Sequence, residues 1–329
     1  MPLSSLLRVF AHNRAATDRT LRVGVVGAGR MGQYHIRHLL HMPGAVLAGL
    51  ADSDTARCQT LAKKSKCRAF LRAEDLLDTV DAVVIATPTS THYSVGRLFL
   101  EAGVACLIEK PLTATVEDAE KLIALSESKG TVLQVGHIER FNPAVTEAQK
   151  FIRDPQFIEV NRLGPYDPRV AEIGVVLDLM IHDLDIVLFL VGDEVARVEA
   201  FGARVLSNHE DIAKVRIHFK KGCIADLSAS RVSIERYRRI RVFQKDAYLS
   251  LDYAAPHLKI YRKKKPVIKG LRDIEILKPK LSGKDPLRSE LEHFLNCVRD
   301  RKTPLVSGRH GRDALALARM VLDNLKVHG

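Results

Sequence analysis

Asp178-Leu179-Met180-Ile181-His182-Asp183-Leu184-Asp185 sets three carboxylates and an imidazole into an otherwise apolar run from 175 to 191. Positions 178, 182 and 185 are spaced i, i+4, i+7, which predicts that all three share one helix face. An unpaired carboxylate on a buried helix is costly, so the set is expected to pair internally or to face a cleft. An acid beside a histidine suits general-base chemistry. Asp178 would orient His182 and steady the positive charge that forms when the imidazole takes a proton. A core histidine flanked by surface acids is the plain alternative, and it fits a lone histidine better than this stripe. A site in which the histidine and carboxylates hold a metal ranks below the redox reading, because Lys110 could supply the cation; no metal is expected.

A second cluster of chemistry-bearing residues opens the chain. Gly27-Ala28-Gly29-Arg30-Met31-Gly32 is G-x-G-x-x-G, placed between an apolar strand (21–27) and a helix (30–42). Gly27 permits a tight turn, Gly29 lets the backbone approach a pyrophosphate, and Gly32 allows close helix–strand packing. The helix N-terminus offers N–H groups to phosphate. Asp52 lies twenty residues beyond Gly32, at the end of the next strand. A carboxylate there accepts hydrogen bonds from the adenine ribose and repels a 2′-phosphate, so NAD is favoured over NADP. Arg57 could offset that repulsion in part. Thr87-Pro88 and Glu109-Lys110-Pro111 follow two further strands, at the carboxyl ends where open α/β sheets bind ligands.

These residues need a scaffold that brings strand ends together, and the apolar patterning supplies one. Strands are predicted at 21–27, 45–51, 81–86, 105–109 and 131–135, separated by helices at 30–42, 54–65, 90–102 and 116–129. That alternation implies a doubly wound parallel sheet, a Rossmann domain over 21–137. The rhythm then changes. A helix at 143–153, a strand at 157–163 and the apolar helix at 175–191 precede strands at 195–206, 212–219, 223–232, 238–243 and 247–251. Strands in succession pair antiparallel. Helices at 286–300 and 311–326 close the chain. The fold class is therefore α/β, with an α+β second domain (138–329) built on a mainly antiparallel open sheet. The last helix could return to the first domain. Residues 1–20, with three arginines and one acid, are read as an N-terminal extension rather than an export signal.

Taken together, GAGRMG with Asp52, ATPTSTH (86–92), EKP (109–111) and DLMIHDLD (178–185) resemble the glucose–fructose oxidoreductase / inositol dehydrogenase / MocA family over nearly the whole chain. The resemblance implies an NAD-dependent dehydrogenase that oxidises a hydroxyl to a ketone. Carried over by motif, its catalytic set is Lys110, Asp178 and His182. The cofactor-binding set becomes Gly27, Gly29, Arg30, Met31, Gly32, Asp52, Thr87, Pro88, His92, Glu109 and Lys110. Met180 stands where the family often has Gly, which could reshape the pocket. The run GHIERFNP (136–143) is similar to the branch that acts on UDP-N-acetylglucosamine at its 3-hydroxyl in lipid A synthesis. That likeness implies a sugar-nucleotide substrate bound by Lys110, Arg140, Asn142, Asp178 and His182.

Composition bounds the partners. The 329 residues carry a formal charge of +12, which favours an anionic substrate. Arg231, Arg236 and Arg238 could meet phosphates, although solvated strand arginines are the simpler account of at least two. No recognition motif accompanies Arg262-Lys263-Lys264-Lys265, so nucleic acid is not expected as a partner, and no apolar run approaches the ~20 residues that span a bilayer, so a membrane is not expected either. Five scattered cysteines without a C-x-x-C pair suit a reducing cytoplasm. A homodimer or homotetramer is expected from the open sheet face. The competing functions are a dehydrogenase of another polyol (an inositol, a free sugar or a sugar acid) and a non-catalytic NAD-sensing regulator. Retention of Lys110, Asp178 and His182 argues against the regulator.

Overall fold

Six short strands, five of them mainly apolar, form the parallel sheet of the first half. These are β1 (Leu21–Val26), β2 (Ala45–Ala51), β3 (Arg68–Phe70), β4 (Ala82–Ile85), β5 (Ala105–Glu109) and β6 (Leu133–Gly136), in a computed structural model that describes residues 19–168 and 172–328. Their order, β3-β2-β1-β4-β5-β6, is that of a Rossmann sheet, and every pairing is parallel. Strands β4 and β5 are buried along their whole length, as a sheet covered on both faces requires. Between them run α1 (Arg30–Leu39), α2 (Thr55–Ser65), α3 (His92–Glu101) and α4 (Val116–Lys129). Side-chain caps start two of these helices: Asp54 accepts from the Arg57 N–H, and Thr115 from the Asp118 N–H. Gly130, in the left-handed region at φ 59°, ends α4.

The second half begins with α5 (Pro143–Gln149), whose start is capped by Asn142. A nine-stranded sheet follows. Its strands are β7 (Phe157–Leu163), β8 (Val195–Ala203), β9 (Ile212–Phe219), β10 (Ile224–Ser230), β11 (Tyr237–Phe243), β12 (Ala247–Asp252), β13 (His257–Lys263), β14 (Ile274–Leu277) and β15 (Leu325–His328). The spatial order is β14-β13-β12-β11-β7-β10-β9-β8-β15. Pairing is antiparallel except β7 with β10 and β8 with β15, so the sheet is mixed but mainly antiparallel. Alternation sets its two faces. On β9, Ala213, Val215, Ile217 and Phe219 are buried while Lys214 and Arg216 are exposed. The buried face packs on α6 (Ile181–Val191) and the later part of α8 (Gly308–Asp323), through Ile181, Leu184, Val187, Leu317 and Val321.

The chain divides into two compact units, one of residues up to 137 with Leu287–Arg312, the other of Ile138–Pro286 with Asp313–Gly329. The sequence predicts a second domain of everything after 137 and allows a return of the last helix to the first. From Leu287 on, α7 (Pro286–Asp300) belongs with the first unit, and so does the start of the last helix, since the division falls inside α8. The reason is the apolar stripe of α7. Leu291, Phe294 and Leu295 are at most 1% exposed in one core with Val23, Val25, Leu50, Val84 and Leu107. Each such side chain contributes roughly 1.5–3 kcal/mol by leaving water. The proposed extension at 1–20 lies, up to residue 18, outside the described residues.

Candidate active site

The glycine loop has the steric signature its spacing predicts. Gly27 sits at φ +97°, and a Cβ there would lie 2.5 Å from the Ala86 carbonyl oxygen, where β1 and β4 leave the sheet side by side. A Cβ on Gly32 would lie 1.8 Å from the Gly27 carbonyl oxygen, so α1 could not approach β1 with any larger residue. Around Gly29, by contrast, a Cβ would meet nothing within 4 Å. Gly29 is the N-cap of α1, and no side chain caps it and no acid occupies the first turn. An open approach to an uncapped helix N-terminus fits a pyrophosphate.

Asp52 directly follows β2 beside this loop and is 8% exposed. Its Oδ2 accepts from the Ala28 N–H at 2.5 Å, and its Oδ1 accepts from the Asp54 N–H at 2.8 Å and from Arg57 at 2.7 Å. Burial raises its pKa, but the bond from Arg57 and the two backbone N–H groups outweigh burial and hold the carboxyl below the usual range. It is an ionised acceptor at the position where an adenine ribose is expected.

Two residues of the expected cofactor set are engaged within the protein. The ring nitrogens of His92 lie 2.8 Å from the Pro111 carbonyl oxygen and 2.9 Å from that of Thr87, and the residue is 1% exposed. His92 therefore ties the ends of β4 and β5 together instead of facing a ligand. Glu109 places Oε1 2.7 Å from Nε2 of buried His35. Burial pushes Glu109 up, but His35, Lys110 and His92 together bring it below the ordinary value. No local motif marks His35, since its partner stands 74 positions away. Lys110 follows Glu109, is half-buried, and is joined to Pro111 by a cis peptide bond.

In the second unit, Val176–Met180 forms one π-helical turn that carries Asp178, and α6 follows with His182 in its first turn. Such turns recur at functional positions. Its start is anchored by Glu210, whose carbonyl accepts from the Val175 N–H at 2.8 Å and whose Oε1 accepts from the Val176 N–H at 3.2 Å. Gly174 makes room for that contact: a Cβ there would lie 1.9 Å from Glu210 Oε1.

The expected stripe of 178, 182 and 185 divides. Asp178 and His182 are half-buried, whereas Asp185 is fully buried and bound by Arg140 at 2.6 and 2.8 Å. Arg140 is in turn 2% exposed and lies over the Phe189 ring, so it is a packing partner of α6 and not a pocket residue. Asn142 likewise caps α5 through the Ala144 N–H and donates to the Tyr253 carbonyl at 3.1 Å. Both are sequence candidates for substrate binding, yet Asn142 and the Nε and Nη2 groups of Arg140 are committed to the fold, while Nη1 of Arg140 is buried without a hydrogen-bond partner among the described residues. Asp183, which the stripe left out, is gripped by Arg162 at 2.8 and 3.0 Å and by the Tyr253 hydroxyl, with Glu139 3.2 Å from the same guanidinium. Arg231 is 1% exposed and holds Asp211 at 2.7 Å, the Ile173 carbonyl and Ser207, which excludes it as a phosphate ligand. Among the described residues, no three His, Cys, Asp or Glu side chains converge as a metal-ligand group.

Residues 21–137 match the family model of the Gfo/Idh/MocA oxidoreductases described as an NAD-binding Rossmann fold, and 156–250 match that family's C-terminal domain. Over 302 residues the chain is 38% identical to a UDP-N-acetylglucosamine 3-dehydrogenase of Acidithiobacillus ferrooxidans, covering 92% of this chain and 96% of that protein. A solved structure of UDP-N-acetylglucosamine 3-dehydrogenase from the same organism matches with a TM-score of 0.88 at 37% identity, over 93% of this chain and 97% of that one. The scyllo-inositol 2-dehydrogenase (NAD(+)) of Bacillus subtilis is 29% identical over 314 residues, 88% of this chain and 90% of the relative. The chain belongs to the Gfo/Idh/MocA oxidoreductase family, and its first domain is an NAD-binding Rossmann domain.

Proposed function

We propose that the chain is an NAD-dependent dehydrogenase that oxidises the 3-hydroxyl of UDP-N-acetylglucosamine to a ketone. The near full-length identity of 38% to a protein named for that activity carries the reading. Bound NAD would supply the acceptor for the hydride that leaves the sugar carbon. In this reading Gly27, Gly29, Arg30, Met31 and Gly32 receive its pyrophosphate, and Asp52 accepts from the adenine ribose. The substrate's hydroxyl proton goes to His182, and Asp178 orients the imidazole and balances the cation formed. Lys110 hydrogen-bonds the same oxygen and stabilises the charge that develops on it. The carbon loses a hydride and the oxygen a proton, which together leave the ketone.

A second reading, oxidation of an inositol or another polyol, is supported by the 29% identity to an inositol dehydrogenase. The test is NADH formation from NAD and UDP-N-acetylglucosamine with a carbonyl trap present, since alcohol oxidation by NAD is uphill near neutral pH. Trap-dependent NADH supports the sugar-nucleotide reading. No NADH from protein that binds NAD overturns it and directs the search to polyols.

The same reading places the enzyme in the cytoplasm, on a route to lipid A. All five cysteines are without disulfides, and burial pushes Cys67 and Cys223 up to about 11. Copies are proposed to pair through the open face of the nine-stranded sheet, where Phe157, Phe243, Tyr248 and Tyr261 form a row with ring centroids 5.7, 4.9 and 5.4 Å apart. A monomeric mass at micromolar concentration would refute that pairing.

A further inference from the structure

Ten of the 26 residues from 259 to 284 are Lys or Arg and only Asp273 and Glu275 are acidic, so this stretch carries +8 of the chain's formal +12. It is the hairpin β13–β14 with its flanks, and β14 is an edge of the nine-stranded sheet. Both acids are already paired, Glu275 with Arg262 at 2.6 Å and Asp273 with Lys265 at 2.7 Å. Lys263, Lys269, Lys278 and Lys280 form no ion pair among the described residues, and Lys264 shares Asp273 with Lys265.

The connection between the strands is built rather than slack. Asp273 gathers it, with Oδ2 accepting from the Lys269 N–H at 2.8 Å and its carbonyl accepting from the Lys264 N–H at 2.9 Å. The Lys265 ammonium, and after it the Lys269 N–H, hold the Asp273 carboxyl below its usual range, so the anchor is ionised at neutral pH. The segment so folded displays large aliphatic side chains to water. Leu271 is 87% exposed, Val267 66% and Ile276 56%. Lysines alone on an edge strand are explained as a guard against edge-to-edge pairing. Three aliphatic side chains exposed among those lysines are not, because they would promote the association that the guard prevents.

We propose that the β13–β14 hairpin is a docking surface for an anionic lipid bilayer, with Val267 and Leu271 entering the headgroup region and the surrounding lysines lying over the lipid phosphates. Lysines set beside exposed aliphatic residues match the two contributions that hold peripheral proteins on acidic membranes. The attachment is peripheral; no helix among the described residues is long and apolar enough to cross a membrane. A single-stranded nucleic-acid surface would pair its cations with exposed stacking rings; the one ring of this stretch, Tyr261, is half-buried against Tyr248, and the exposed apolar side chains are aliphatic. Nothing in this inference depends on the substrate.

The experiment is flotation of the full chain with vesicles of neutral phosphatidylcholine and with vesicles that also contain 30% phosphatidylglycerol. The expected result is flotation with the acidic vesicles only, weakened by salt. Each lysine near such a surface strengthens partitioning on the order of fivefold. Lys263→Glu/Lys264→Glu is therefore expected to lower it tenfold or more. Val267→Ser/Leu271→Ser is expected to lower it about tenfold while leaving the melting temperature unchanged. Absence of flotation overturns the proposal. Retention of binding by the Val267→Ser/Leu271→Ser variant, with equal competition by single-stranded RNA, overturns it in favour of a general polyanion site. A change in oligomeric mass caused by the same variant, with unaltered flotation, assigns the patch to a subunit contact instead.

Discussion

Arg140 holds Asp185 through two hydrogen bonds, Nε to Oδ2 at 2.8 Å and Nη2 to Oδ1 at 2.6 Å, with both side chains out of contact with water. Asp185 stands three residues beyond His182, and the neighbouring Asp183 is held in the same manner by Arg162. Two buried guanidinium–carboxylate pairs therefore fix the roll of α6 about its axis. Asp178 and His182, half-buried, are the polar groups of the DLMIHDLD run that these arginines do not hold.

Removing one partner of such a pair strands the other charge in the core. Arg140→Met is expected to lower the unfolding free energy by about 3–5 kcal/mol, and Arg140→Met/Asp185→Leu to recover most of the loss. Equilibrium urea unfolding of the two variants measures this. Normal stability in Arg140→Met together with a raised substrate KM would return Arg140 to the pocket.

If His182 takes the substrate proton and Lys110 stabilises the oxygen, each loss should act on turnover and not on cofactor binding. His182→Ala and Lys110→Met are each expected to lower kcat by about 10²–10⁴. Titration of NAD by quenching of intrinsic tyrosine fluorescence should give an unchanged Kd in both. Equal loss of NAD binding and turnover in His182→Ala would make its role structural.

The Rossmann half was readable because its signals are local. Gly27, Gly29 and Gly32 are fixed by spacing, Asp52 by distance from them, and β4 and β5 are unbroken apolar runs. Strand β3 escaped notice because its three residues are not buried. Strands β13 and β14 were hidden by their charge: Lys259, Arg262 and Lys263 on β13 obscure the buried Leu258 and Ile260. Position 185 fitted the periodicity of the stripe, but no local pattern announces that Arg140, 45 residues earlier, reaches it. The same holds for Arg162 and Tyr253 on Asp183, and for the return of α7 to the first core. Partners far apart in the chain are set by topology, which spacing does not encode.

Asp52 is predicted to decide the cofactor. Its carboxylate is ionised and buried, and Arg57 lies 2.7 Å away with its side chain 44% exposed. Asp52→Ser removes the charged acceptor and the repulsion at once. A hydrogen bond to a charged group contributes about 1.5–3 kcal/mol, so KM for NAD should rise roughly tenfold to a hundredfold. KM for NADP should fall in the same variant, with Arg57 then placed near a 2′-phosphate. Steady-state kinetics with both nucleotides checks this; an unchanged NAD to NADP preference would remove Asp52 from the ribose site.

Glu290, on the buried side of α7, makes the stability of the first unit depend on pH. Both its carboxyl oxygens are buried without a hydrogen-bond partner among the described residues. Burial, and then the negative charge of Glu109, push its pKa well above the ordinary carboxyl value. The unfolded chain therefore loses this proton first as pH rises. Between the ordinary value and the raised one the native state holds the extra proton, so stability declines with rising pH, by up to about 1.4 kcal/mol per unit. Below the ordinary value the cost is absent. Glu290→Gln keeps the shape and removes the titration. It is expected to match the parent protein near pH 4 and to exceed it by a growing margin from pH 5 upward, until the native carboxyl itself ionises. Urea unfolding at pH 4, 6 and 8 measures the difference. A margin that stays constant across those values would mean that the native Glu290 titrates like a solvated carboxyl, and would discard the buried protonated acid.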